Sequence, residues 1–524
     1  MLKNVKLFCI LAILVAILTV LGMAALNRED LIDDENNNEI VTEETVSLVI
    51  IEPDYLNPLV SKNKYVQEVA GLVFEGLTEI DETLKPQPAL AKAFVPDETL
   101  TSWNVSLRND ITFHDGTQFD ADDVVFTINK IKELGENSYF AYNVENIQSV
   151  SKISDYEVTF KLNKADNFFM NKMDLPILSK EYYLNKSLEH VKNYVGTGAY
   201  KQSDVTENAM KLTFFEDYYS EAKGNIKNID VKITTKNRPG FELLKMGEID
   251  IADTNTEVGA YGRSAYNNEK YVTSIFEGIV FNPENAALKD SNVRKAILLG
   301  INRDLIIKNY LEGYGDSVDL PINPNSYLIN QELDKYSFNP ERAQDILTNN
   351  GWKGNEALGF RSKGELKLQF NLLVNSDNEN AEAKANFIKE NLKNIGIDII
   401  VVPKNSTLYN TAIAEKSYDL AITDWAISEY PEFLYNFSSS SSNNIFGFSN
   451  EDYDYYVFVA KTEYLEGKLR EYFFKMQEIL VEELPIAGLY FETSTVYYNQ
   501  SMKGELKPTI NNIYSGLKDM MRVN

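Results

Sequence analysis

The sequence predicts an α/β protein with two lobes, and three observations lead there. Residues 366–423 run strand, helix, strand, helix, strand; residues 230–252 repeat the first half of that order; and residues 103–162 set an amphipathic helix between two half-buried strands. A length of 524 residues gives several domains at ~100–200 residues each, with ample surface for their cores. A hydrophobic share of 44% with 25% charged residues belongs to a globular chain, which excludes wholesale disorder and a polytopic membrane protein.

Taken in order, the chain begins with Lys3 and Lys6 ahead of an uncharged stretch, 7–26, long enough as a helix to cross a hydrocarbon core. Residues 1–26 are thus an export signal or a membrane anchor. Gly22 and Ala24 offer a cleavage site, but the apolar run exceeds that of an ordinary signal peptide, which favours retention. Residues 27–45 are acidic and Asn-rich, with too few apolar side chains to offset the entropy of ordering, and read as a tether.

Beyond Val46 both periodicities appear. Trp103, Val105 and Leu107 alternate with polar residues, as do Val158, Phe160 and Leu162, and each trio predicts a strand with one buried face. Asp120 and Asp123 have capping-box spacing and open a helix whose Val124, Val125, Ile128 and Ile131 share one face. The shorter echo places a strand at 230–234, a helix after Gly240 and a strand at 248–252. In the longer run Leu366, Leu368, Phe370 and Leu372 predict a strand, 381–394 a helix closed by Gly396, 397–402 a strand, 408–415 a helix and 418–423 a strand. That order implies a parallel sheet with right-handed crossovers.

Charge and composition narrow the function. Lys+Arg 51 against Asp+Glu 78 leave a net charge of −27, so nucleic acid is not an expected partner. One Cys and two His cannot make a disulfide framework or a Cys/His zinc site, and no loop has EF-hand spacing; neither a metal nor a cofactor is expected. The motifs of phosphate, hydride, acyl and zinc chemistry are missing, which disfavours an enzyme. His114, in Phe113-His114-Asp115-Gly116, reads as part of a turn rather than as a base. Open α/β sheets bind ligands beyond the carboxyl ends of their strands, which points to Asp424, Trp425, Ser428, Glu429 and Tyr430 after the strand at 418–423. An aromatic beside two carboxylates suits an organic cation or a peptide amino terminus, while the plainer reading makes Trp425 core and the acids a solvated loop.

A set of short motifs then carries a resemblance. Phe74-Glu75-Gly76-Leu77, Phe113-His114-Asp115-Gly116, Ala121-Asp122-Asp123-Val124-Val125-Phe126, Val195-Gly196-Thr197-Gly198-Ala199-Tyr200, Gly247-Glu248-Ile249-Asp250 and Asn339-Pro340-Glu341-Arg342-Ala343 occur in that order. Together they resemble the signature of family-5 extracellular solute-binding proteins, the oligopeptide and dipeptide receptors of ABC importers, over nearly everything from Val46 to Asn524. The resemblance implies a periplasmic-binding-protein-like, type II, three-domain receptor that closes on its ligand by a hinge. Domain I would comprise residues 46–80, 196–276 and 489–524, domain II the insertion 81–195, and domain III residues 277–488. Most of the matching motifs serve the shape: the Asp115-Gly116 turn, the Asp120 cap, and the glycines of Gly196-Thr197-Gly198.

The ligand would be a short peptide, delivered to the permease subunits of an importer by a monomeric receptor held at the outer face of the membrane. Peptide-binding members have a Trp followed shortly by Ala-Asp-Tyr, whose Asp holds the peptide's α-ammonium. Here Trp425-Ala426-Ile427-Ser428-Glu429-Tyr430 has one more residue and Glu in place of Asp. Aligned on Tyr430, Glu429 is the anchor; aligned on Trp425, Ser428 takes its place and cannot neutralise an ammonium, with Asp424 the next carboxylate. Tyr139, Tyr142 and Tyr490 would line side-chain pockets. Cys9 starts the apolar run rather than ending it, a departure from the lipid-bearing Cys of Gram-positive members. A non-peptide solute such as a sugar, an opine or a metal chelate, and a surface adhesin without transport, stand as the alternatives.

Overall fold

The computed structural model describes residues 44–220, 224–235, 239–256, 264–333, 336–355 and 359–523. The segment 1–26 and nearly all of 27–45 lie outside them, and Thr45, expected in the tether, already opens a strand. Among the described residues no helix is long and apolar enough to cross a membrane.

Thr45–Ile51 starts the first sheet because its alternation buries Val46, Leu48 and Ile50 on one face. The opposite face sends Val49 and Ile51 into a small core with Phe241 and Leu244. This strand lies parallel to Asn228–Thr234, and Ala209–Phe214 and Tyr200–Val205 follow antiparallel. A second, antiparallel sheet orders Ala91–Pro96, Ser102–Leu107, Glu157–Leu162 and Ile147–Ser154. The expected strands at Trp103 and Val158 are its central pair. The helix Ala121–Leu134 opens with the expected Asp120/Asp123 capping box and buries Val124, Ile128 and Ile131, while Val125 stays half-buried. One apolar core runs unbroken from Val46 through Trp103 and Phe160 to Leu517, so the first two sheets form a single lobe.

The other lobe holds the parallel run. Gln369–Asn375 is flanked in parallel by Asp398–Lys404 and Leu420–Ala426, with the helices Ala381–Lys393 and Ser406–Ala414 as crossovers. The strand begins later than the pattern of Leu366 predicts. Gly364, at φ +62°, turns the chain so that Lys363 pairs with Leu366 in a separate three-stranded sheet, which leaves Leu366 exposed.

Two long strands join the lobes. Tyr266–Phe281 and Ile486–Asn499 run antiparallel, with register shifts between Val272 and Phe276 and between Glu277 and Gly278. On one side of the break Ile486–Asn499 pairs with Ile251–Thr254, and Tyr271, Val496 and Tyr498 are buried in the first lobe; on the other, Tyr266–Phe281 pairs with Leu420–Ala426 in the second. The shorter echo at 230–252 is therefore not a second parallel unit, because its two strands belong to different sheets. The reason is local. Asp250 occupies the edge of the first strand with its own groups, donating N–H to Ser47 O (2.8 Å) and accepting Ser47 N–H on Oδ2 (2.7 Å). The chain then departs to pair Ile251 with Tyr498.

Candidate functional site

The strand Leu420–Ala426 carries Asp424 and Trp425 within the sheet, where they face Glu277 and Phe276 of the long strand. It runs further than the sequence reading placed it, and this decides their positions. Asp424 is exposed and accepts a hydrogen bond from Asn378 Nδ2 (3.3 Å). The Trp425 ring stacks on Phe276 at 5.7 Å and meets Phe433 and Phe446 edgewise or tilted, half-buried against a core of the second lobe. Tyr490 is 1% exposed, its hydroxyl between Glu277 Oε1 (2.7 Å) and Lys384 Nζ (2.8 Å), so it belongs to the core of the second lobe and not to a pocket wall.

After Ala426 the backbone leaves the sheet, and Ile427 N donates to Ser274 O (2.8 Å) at the strand break. Ser428, Glu429 and Tyr430 then line a cavity of about 540 Å³ between the lobes, a size common for small-ligand sites. Tyr139 and Tyr142 line it from the first lobe, as do the helix Lys64–Ala70, Asn171, Asp174 and Asn511. Of the expected set, the cavity thus gathers Tyr139, Tyr142, Ser428, Glu429 and Tyr430, and leaves out Asp424, Trp425 and Tyr490.

Three carboxylates dominate this wall. Glu429 Oε2 and Asp174 Oδ2 both accept from Asn511 Nδ2, at 2.7 and 3.4 Å. Burial pushes the Asp174 carboxyl up to about 7, and burial together with the neighbouring Asp174 pushes Glu429 well above the usual carboxylate range. Glu68, on the buried face of its helix, is also raised by burial and by Asp253. Lys64 is the basic residue of the lining, and it is already matched by Asp253 (2.8 Å) and Glu68 (4.0 Å). Ser428 turns its hydroxyl to Tyr430 O (3.0 Å).

The lobes touch beside the cavity. Tyr142 O–H donates to Glu432, the Phe168 ring packs at 5.0 Å on Tyr430, and Asn167 Nδ2 donates to Tyr435 Oη (3.0 Å). Lys172, paired with Asp166 at 2.8 Å, lies near the rings of Tyr142 and Tyr430.

Sequence reasoning did not find Glu68, Asn171, Asp174 or Asn511. Glu68 left a trace, as a carboxylate among Val66, Val69 and Ala70 on one helix face. Asp174 left none: Gly76 packs against its backbone, where an added Cβ would sit 2.5 Å from Asp174 C, and that contact is far apart in sequence. Among the described residues no group of three or more His, Cys, Asp or Glu is arranged to hold a metal ion.

A ligand-sized cleft between two lobes joined by paired strands defines a two-lobed solute-binding protein. Residues 85–445 match the model of bacterial extracellular solute-binding proteins, family 5, and the chain belongs to that family. It is 26% identical over 478 residues to the oligopeptide-binding protein AppA of Bacillus subtilis, covering 86% of this chain and 87% of that protein. A dipeptide-binding protein of Pseudomonas aeruginosa is 23% identical, with 82% and 86% covered. The fold is also that of the periplasmic murein tripeptide binding protein MppA in its unliganded open form, at a TM-score of 0.78 and 20% identity over 92% of this chain and 98% of that one.

Proposed function

We propose that this protein is an extracytoplasmic receptor that captures short peptides by hinge closure and hands them to the permease subunits of an ABC importer. The observation that carries the reading is Glu429: a carboxylate on the wall of a ligand-sized cleft, hydrogen-bonded to the Asn511 amide and, among the described residues, paired with no cation. A peptide's α-ammonium supplies the missing charge. The names of the oligopeptide- and dipeptide-binding relatives point the same way. Tyr139, Tyr142 and Tyr430 contribute aromatic surface that tolerates varied side chains. The domain division proposed from the resemblance places the cleft between domain III and the lobe formed by domains I and II, with the hinge at the register break near Val272–Phe276. Attachment through residues 1–26, without lipid, and a monomeric receptor complete the proposal.

Glu429→Gln tests it, because the change keeps volume and removes charge. Free-amino peptides should weaken by ~3–5 kcal/mol if their ammonium is left buried and unpaired, while N-acetylated peptides bind the parent poorly and lose little more in the variant. Equal calorimetric affinities of parent and variant would remove Glu429 from this role.

A further inference from the structure

We infer that the cleft selects peptides carrying a second positive charge, a Lys or Arg side chain close to the free amino terminus, with Asp174 as the second anchor beside Glu429. The inference rests on the peptide reading above and deepens it. Three features of the wall carry it. Asp174 and Glu429 come from opposite lobes and meet at one amide nitrogen, Asn511 Nδ2, so the cavity holds two carboxylates where one ammonium needs only one. Among the described residues the lining offers them no free cation, since Lys64 is matched by Asp253 and Glu68. Two polar atoms of the lining are also buried without a partner: Glu68 Oε2, on a residue 8% exposed, and Asn171 Nδ2, on a residue 2% exposed.

The Asn171 amide is a donor and the carboxylates are acceptors. A ligand that satisfies both kinds presents ammonium groups and a carbonyl oxygen together, as the first residue of a basic peptide does. A diamine lacks the carbonyl. A neutral peptide has only one ammonium and leaves the second carboxylate without a counter-charge. The raised proton affinity of Asp174 and Glu429 agrees with a site short of positive charge.

Calorimetry on the full-length protein at about pH 7.5, where the peptide amine is still largely charged, tests the inference with Lys-Ala-Ala, norleucine-Ala-Ala, Ala-Ala-Ala and 1,5-diaminopentane. Lys-Ala-Ala should bind about tenfold or more tighter than norleucine-Ala-Ala, which differs by the ammonium alone. Asp174→Asn should erase that preference, so that Lys-Ala-Ala and norleucine-Ala-Ala bind the variant equally, whereas Glu429→Gln should weaken all three peptides and keep Lys-Ala-Ala ahead of norleucine-Ala-Ala. The ligand comparison on the parent decides the matter even if a variant fails to fold. Equal binding of Lys-Ala-Ala and norleucine-Ala-Ala, both lost in Glu429→Gln, would overturn the second anchor and leave the peptide reading intact. A diamine that binds as tightly as Lys-Ala-Ala would overturn the peptide form of the inference, and failure of every peptide to bind would overturn both readings.

Discussion

Asp174 is held in a state that disfavours its own charge. Its folded-state carboxyl is raised from 3.8 to about 7 by burial, so the folded protein binds more protons than the unfolded chain between those values. Stability from this group is therefore complete below about pH 4 and lost as pH rises through about 7. Asp174→Asn removes that cost, and the unliganded variant should melt above the parent at pH 8 and with it at pH 4. Equal melting temperatures at pH 8 would show that the carboxylate finds compensation within the folded protein. His114 has the opposite sign. Its Nδ1 accepts from Gly196 N (3.3 Å) and its Nε2 faces Gly198 O (2.9 Å), so the neutral ring ties the Asp115-Gly116 turn to the glycine segment. Burial lowers its pKa from 6.5 to about 4, and the stability it supplies is present above 6.5 and lost as pH falls toward 4. At pH 5 the loss is roughly 2 kcal/mol, and His114→Gln should flatten that part of the profile in urea unfolding at pH 7.5 and 5.

Short segments decide how elements approach one another. The C-terminal end of the helix Lys64–Ala70 leads to Val73, whose carbonyl accepts from Gly198 N (2.8 Å). A Cβ at Gly198 would sit 2.7 Å from Val73 C, and one at Gly196 2.2 Å from Val73 O. Neither can be relieved by rotating a side chain, because the obstacle is backbone. Gly198→Ala should therefore cost about 2 kcal/mol or more in chemical denaturation, with a further loss of ligand affinity because the helix that carries Glu68 and lines the cleft must move. An unchanged denaturation midpoint would mean that the segment yields without cost. The long strands show the reverse design. Their ladder shifts register at Val272–Phe276, where the lobes meet, and regular pairing is interrupted there, while Glu277, Lys384 and Tyr490 tie the second lobe together just beyond it.

For the molecule as a whole, ligand binding is a contest between two arrangements of the lobes. On the proposed reading, a peptide touching Glu429 on one side and Asp174 and Tyr139 on the other would bind the arrangement in which they converge and draw the population toward it. At 100 times its dissociation constant it should stabilise the protein by ~2.7 kcal/mol, read as a rise in melting temperature. A broad peptide library that produces no rise would favour the alternative solutes. The acidic surface, at net −27, adds a long-range bias toward cationic ligands that salt will screen.

The α/β class, the order of the parallel run, the Asp120 cap and the strands at Trp103 and Val158 were legible in the sequence, because each depends on contacts within a few residues or on a period that repeats along one element. The family was legible too, since its motifs are local turns, caps and glycines read in series. The candidate cleft was legible only in part. Tyr139, Tyr142, Ser428, Glu429 and Tyr430 line it, while Trp425 packs half-buried against the second lobe's core and Tyr490 lies within that lobe, because a strand's end and a side chain's face are set by its neighbours in the sheet. Only the tertiary structure brought Asp174, Asn511 and Glu68 to the same wall and took Ile251–Thr254 into the sheet that spans both lobes. Those placements come from contacts between residues far apart in the chain, and no local spacing or periodicity encodes which distant partners will meet.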